Sequence, residues 1–336
     1  MSVSFGTRGA RFTIGPRGTR TTFGIPGTGI YYTVHHGARR SSHRPSHPSR
    51  KQQKEIASLL VPRPEERLKL GFLQRLWTPK DVENLVDGTR EALLGHHDKA
   101  YELLVRSAHL PDAAFLAGFL ALEKNQLDQA EQLLRYAAAN HRQLGYLQKR
   151  YGVVASLELP ITDEITAHLP MNLRGALLGL VEVLQRQGKD QEALAQLKRL
   201  LRLEPEDPLV KLSLAELLWE TYSEDRNAWK RILRLAQGIQ NDSPIHAALL
   251  LYQARALRKL GLLEAARDVL TRLLRKKKFL PDSLRKAIQY ERALVYETLG
   301  QHRRARREWE KLYLEDPHFQ DVAARCGMTE DPMSLE

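Results

Sequence analysis

Cysteine is almost absent from the 336 residues. Only Cys326 is present, which excludes an intramolecular disulfide framework and any metal site built of cysteines alone. Long apolar runs are missing too. The longest, Ala113 to Leu122, is bounded by Asp112 and Glu123, far short of the roughly 18 to 20 residues a membrane-spanning helix needs. The opening MSVSFGTRGARF has no apolar core of the kind a secretory leader carries. A soluble, cytoplasmic protein of bacterial type is therefore expected. Aromatic residues reach only 7%, against 42% apolar and 27% charged residues, ordinary proportions for a folded domain.

Acidic residues are missing from the whole stretch before Glu55, which holds ten basic ones. Most of the net charge of +12 thus lies in the first sixth of the chain. A second basic stretch, from Leu250 to Lys311, has 17 basic and 7 acidic residues, which leaves the remainder acidic. Such asymmetry bears on partners rather than on fold.

Residues 7–33 contain an echo nine residues long. Thr7–Gly15 reads TRGARFTIG, Pro16–Gly24 reads PRGTRTTFG, and Ile25–Thr33 gives a weaker copy, IPGTGIYYT. Each copy opens on turn-forming glycines and continues with β-branched or aromatic residues, which suit a pleated strand. Phe12 and Ile14 alternate with Arg11 and Thr13, as a short antiparallel meander with one apolar and one basic face requires. The run RGARFTIGPRGTRTTFGIPGTGIYYT resembles the second half of the bacterial domain of unknown function 4236. The first half of that domain would precede Met1, which implies a start assigned too late or a natural remnant. Gly27–Gly29 is not a phosphate loop, because no GxGxxG or GxxxxGK[ST] pattern is present and no helix follows. Arg8, Arg11, Arg17 and Arg20 could hold an anion with their forked donors; a solvated basic face is the plainer reading.

The domain plan is a β module over residues 1–34, a basic linker over 35–63, a helical array over 64–325 and a tail over 326–336. The linker's HHGARRSSHRPSHPSRKQQ is polar and of low complexity, the composition of a disordered segment. Its histidines, His35, His36, His43 and His47, have no Cys or carboxylate beside them, so no metal site is expected.

From about Glu65 the apolar period lengthens from 2 to 3.6. Leu68, Phe72, Leu73 and Leu76 predict an amphipathic entry helix with Pro64 near its start. Thr78-Pro79 predicts the cap and first residue of the next helix. Beyond it a pattern recurs, in which a turn residue is followed five positions later by Ala. The pairs are Gly95 with Ala100, Asn125 with Ala130, Gly188 with Ala193, Gly261 with Ala266 and Gly300 with Ala305, plus a degenerate Ser223 with Ala228. Four positions past each Ala stands a large apolar residue: Leu104, Leu134, Leu197, Leu270, Trp309 and, in the weak copy, Ile232. A small residue lets paired helices approach, and the large one fills the gap to the next pair. Units are placed near 81–110, 111–144, 174–207, 208–242, 247–283 and 286–319. Residues 145–172, with Pro160 and Pro170, fit no unit and read as a loop or a short extended insertion.

These positions resemble the tetratricopeptide repeat, a helix–turn–helix of about 34 residues. The fold class expected is mainly α: a right-handed solenoid of helical hairpins with a small N-terminal β meander. The resemblance implies a groove lined by the first helix of each unit. Projected onto this sequence, the groove positions are Phe115, Phe119, Leu178, Glu182, Arg186, Leu251, Arg255, Arg258, Lys259 and Tyr290. The Lys/Asn clamp by which some members hold a terminal carboxylate is not visible.

Arg303, Arg304, Arg306 and Arg307 fall at a helix start, where the dipole disfavours cations. They are set beside the four N-terminal arginines as anion-binding positions. His96-His97-Asp98 and Cys326 lack the partners that catalysis or metal binding would need. Trp77, Trp219, Trp229 and Trp309 all fit helix packing. No enzyme and no cofactor is expected. The reading is a scaffold or adaptor for an unidentified protein or peptide; the alternative is a binder of nucleic acid or another anionic surface.

Overall fold

The computed structural model describes residues 64–153, 155–275 and 280–328 together with four N-terminal strands, and of those strands the backbone alone. The strands are β1 (Val3–Thr7), β2 (Ala10–Gly15), β3 (Gly18–Gly24) and β4 (Ile30–His36). They pair in sequence order as an antiparallel meander, with Phe5 opposite Phe12, Thr13 opposite Arg20 and Thr22 opposite Thr33. Each copy of the echo thus supplies one strand, and Val3–Thr7 adds another. β4 runs on through His35 and His36, which the sequence had assigned to the linker. Residues 37–63, with His43 and His47, lie outside the described residues.

Helical pairs follow. The first pair is α3 (Lys80–Leu93) with α4 (His97–Val105), and the second α5 (Pro111–Glu123) with α6 (Leu127–Ala139). After an insertion come α8 (Leu173–Arg186), α9 (Asp190–Leu203), α10 (Pro208–Thr221) and α11 (Arg226–Leu235). The last pairs are α12 (Pro244–Lys259) with α13 (Leu263–Arg275), and α14 (Asp282–Thr298) with α15 (His302–Glu315). Local chemistry sets their ends. Pro111, Pro208 and Pro244 open helices where no N–H partner is lost. Asn172 and Asp207 accept the N–H groups of Gly175 and Leu209 at 2.9 and 2.8 Å. Gly95 and Asn125 close first helices with φ of 83° and 56°, conformations that glycine and asparagine tolerate best. The predicted small and large residues are all buried, from Ala100 and Leu104 through to Ala305 and Trp309.

The chain divides into two compact units. One comprises Met1–Leu159 and His168–Gln196, the other Pro160–Ala167 and Leu197–Glu336. In the first unit, close packing goes further than the sequence pattern indicated. A Cβ on Gly88 would come 2.8 Å from Leu104 Cγ, and one on Gly118 2.7 Å from Leu134 Cγ. Small residues on the first helix therefore meet the large residue of the second.

Three expectations are corrected. The single entry helix is two short ones, α1 (Pro64–Arg67) and α2 (Phe72–Trp77), with Gly71 capping the second. Leu68 is buried, but Phe72, Leu73, Leu76 and Trp77 stand out in solvent, Trp77 at 85% exposure. Trp77 is thus no packing residue. Arg75 anchors α2 to α3 through Glu83 and Asp87, and this leaves the apolar face turned outward. Thr78 does not cap α3: its hydroxyl donates back to the Gln74 carbonyl at 2.7 Å, and Pro79 takes the cap position.

The insertion at 145–172 contains regular elements. It comprises α7 (Tyr146–Tyr151), β5 (Ala155–Thr162) and β6 (Ile165–Pro170). Leu157, Leu159 and Ile161 are buried on β5, as are Ile165, Ala167 and Leu169 on β6, the period of two that marks a strand. β4 pairs with β5 only over Ala155–Leu157, so Pro160 lies past that ladder, where an edge tolerates proline.

Asp112 on α5 ties α7 down. Its carboxylate, fully buried, accepts the N–H groups of Gly145 at 2.8 Å and Leu147 at 2.9 Å. Burial pushes its pKa up, against the pull of those bonds. Asp112→Ala leaves two backbone donors without their acceptor and is expected to cost about 1–3 kcal/mol. A lower urea midpoint for the full chain, with Asp112→Asn between it and wild type, checks this; an unchanged midpoint contradicts it.

Candidate functional site

The projected groove positions fall into two sets. Phe115, Leu178 and Leu251 are completely or almost completely buried, and Phe119 nearly so. The Phe115 and Phe119 rings lie 5.0 Å apart, tilted by 46°. Beneath them a Cβ on Gly179 would stand 2.5 Å from Phe119 Cζ. Every residue of α5 from Pro111 to Leu122 is buried. A helix that is apolar all round has no face left for a partner, so Phe115, Phe119, Leu178 and Leu251 belong to the core.

The polar positions keep part of their surface exposed, and each has a charged or polar neighbour within reach. In the first unit Arg186 donates to Glu182 at 2.7 Å, one turn apart on α8. In the second unit Arg258 donates to Glu291 at 2.5 Å. Lys259 meets Glu224 at 2.9 Å and lies over the Trp229 ring, 5.8 Å from its centroid. Arg255 lies over Tyr252 at 4.9 Å and reaches Glu164 at 3.5 Å and Glu291 at 3.9 Å. Tyr252 is buried edge-on to Trp219, 6.4 Å between centroids, and burial drives its phenol pKa far up. Tyr290 is part of the C-terminal closure. Its hydroxyl donates to Asp321 at 2.6 Å, its ring meets Trp309 and Phe319, and burial together with Asp321 pushes its pKa up to about 12. Arg325 seals the same cluster, bonding Asp321 and Glu297 and lying 4.9 Å over Trp309.

Tyr252, Glu164 and Glu291 were not singled out in the sequence. Tyr252 could have been, because it stands one turn before Arg255 on the same helix. Glu164 could not, because only the hairpin brings it across 91 residues to Arg255.

The anion-binding positions on α15 are all exposed. Arg304 donates to Gln301 at 2.9 Å, and Arg306 pairs with Glu310 at 2.9 Å. Arg303 and Arg307, one turn apart, have no ion-pair partner among the described residues. The side chains of Arg8, Arg11, Arg17 and Arg20 lie outside the described residues. The histidines at the first turn are held as well: His96 meets Glu91 at 2.7 Å and His97 meets Glu123 at 2.8 Å. Among the described residues no cluster of three or more His, Cys, Asp or Glu is placed to hold a metal, and no helix is long and apolar enough to cross a membrane.

Paired helices with small residues at their crossings, repeated along the chain after a short β meander, define a helical-hairpin repeat protein of the tetratricopeptide type. Residues 116–326 match the family described as the N-terminal domain of EccA1, a protein of the T7SS ESX-1 secretion system, and the chain belongs to that family. Residues 1–33 match the domain of unknown function 4236, as the sequence echo implied. The fold is similar to the crystal structure of the N-terminal domain of the EccA1 ATPase from Mycobacterium tuberculosis. That likeness has a TM-score of 0.54 at 16% identity, over 74% of this chain and 88% of the other. A tetratricopeptide repeat protein from Parabacteroides merdae ATCC 43184 gives a TM-score of 0.46 at 12% identity, over 84% of this chain and 94% of the other. Among curated proteins, none matches the chain.

Proposed function

We propose that this chain is a non-enzymatic scaffold that binds a protein partner through polar side chains on its first helices. In the first unit these are Glu182 and Arg186; in the second they are Arg255, Arg258 and Lys259. The observation that carries the reading is the preorganisation of Arg258 and Lys259. Arg258 and Lys259 are partly exposed, yet each is held by a carboxylate, and Lys259 also rests on an aromatic ring. Side chains already fixed lose little entropy when a partner docks. The family's namesake belongs to a secretion system, so proteins of such a system are the first partners to look for.

The test is affinity capture of the tagged full chain from the lysate of its source cells, with and without nuclease, read by mass spectrometry. The expected result is one protein at near-stoichiometric level that survives nuclease and is lost with Lys259→Glu. Capture that disappears on nuclease treatment overturns the reading. It would favour the anionic-surface alternative, with Arg303, Arg304, Arg306 and Arg307 as its contacts and binding that weakens steeply with salt.

A further inference from the structure

The hairpin tip, Pro160–Ala167, belongs to the second unit with α10 to α15. Its turn is tightly built. The Thr162 hydroxyl donates to Glu164 Oε2 at 2.9 Å, and the Glu164 N–H donates to Thr162 Oγ1 at 3.2 Å. Ile161 and Ile165 are buried on either side, while Asp163 faces solvent. Glu164 itself is almost covered, its side chain 9% exposed, and its Oε1 faces Arg255.

The match at Arg255 is poor for so covered a charge. A guanidinium offers five donors in a fork that suits a carboxylate at about 2.7–2.9 Å. Here the nearest carboxylate oxygens stand at 3.5 Å, from Glu164, and 3.9 Å, from Glu291. Glu291 gives its close contact to Arg258 instead, at 2.5 Å. Tyr252 supplies an aromatic floor beneath Arg255 at 4.9 Å. The site therefore has a cation, an aromatic platform and a loosely held acidic occupant flanked by aliphatic side chains.

We infer that Arg255 and Tyr252 form a receptor for an acidic segment of a partner protein, a glutamate or aspartate flanked by aliphatic residues, and that the hairpin tip stands in for that segment within the chain. A free segment can close the fork on Arg255 more tightly than a carboxylate tethered to a hairpin. This deepens the scaffold reading and rests on it: partner binding at this site requires the tip to leave.

The probe is a labelled synthetic copy of residues 157–169, titrated into the full chain by fluorescence anisotropy. The Glu164→Gln chain weakens the internal occupant and is expected to bind the peptide about tenfold more tightly than the wild-type chain does. A peptide with Gln at the Glu164 position, titrated into the wild-type chain, is expected to bind more weakly than the Glu peptide does, and this arm needs no protein variant to fold. Faster amide exchange over residues 160–167 in the Glu164→Gln chain would report release of the tip. Equal affinity of the two chains, or equal binding of the Glu and Gln peptides, overturns the inference. If the peptide fails while captured protein is still lost with Lys259→Glu, the scaffold reading stands and this site falls alone.

Discussion

Phe115→Ala is expected to destabilise the first unit by about 3–5 kcal/mol, the usual cost of emptying a buried aromatic site. Phe115 is wholly buried, its ring tilted against that of Phe119 and in contact distance of where a Gly175 Cβ would lie. The cavity cannot collapse easily, because α5 is enclosed along its length. In a repeat array each element is stabilised chiefly by its neighbours, so the loss should be local. Peptide-resolved hydrogen exchange should show faster opening of α5, α6 and α8, with α14 and α15 unchanged. A stable variant that only lost partner binding would return Phe115 to the binding surface and contradict the packing described here.

Gly175→Ala is expected to cost about 3 kcal/mol, the upper part of the range for overpacking. The added Cβ would fall 2.2 Å from the Pro170 carbonyl oxygen. Backbone cannot swing aside as a side-chain end can, so either the strand end or the start of α8 must move. Gly175 also donates to the Asn172 cap at 2.9 Å, and the shift would strain that bond. Gly118→Ala is the control. Its Cβ would come 2.7 Å from Leu134 Cγ, a side-chain atom rather than backbone, and a smaller loss is expected. Urea or thermal unfolding of the two variants reads the order directly. A Gly118→Ala chain less stable than Gly175→Ala would mean that the junction between β6 and α8 is looser than it stands here.

The helical pairs were legible because their signal is short-range and repeated. A residue that tolerates left-handed φ followed by Ala five positions later states both the turn and the close crossing, and Gly95 with Ala100 shows it as plainly as Gly300 with Ala305. The β meander was legible for the same reason, through its echo. The hairpin at 155–170 was not. Pro160 and Pro170 obscure the alternation of Leu157, Leu159 and Ile161, and an isolated strand pair gives no repeat to average over. Groove positions suffered differently. A family projection fixes the register of a helix but not how deeply neighbours bury it, so Phe115, Phe119, Leu178 and Leu251 were carried to a surface that the packing closes. Trp77 shows the reverse error. It sits on a helical period, but Gly71 breaks the helix ahead of it and Arg75 turns its face outward. The pairing of Arg255 with Glu164 depends on a contact across 91 residues, which local pattern cannot express.

The most direct test of the central claim is amide hydrogen exchange of the full chain with and without the protein it captures. Slowed exchange on α8, α12 and α14 is the result predicted if the first helices carry the partner. Protection confined to α15 and residues 1–36, with those first helices unchanged, would contradict the claim and place binding on the basic surfaces instead.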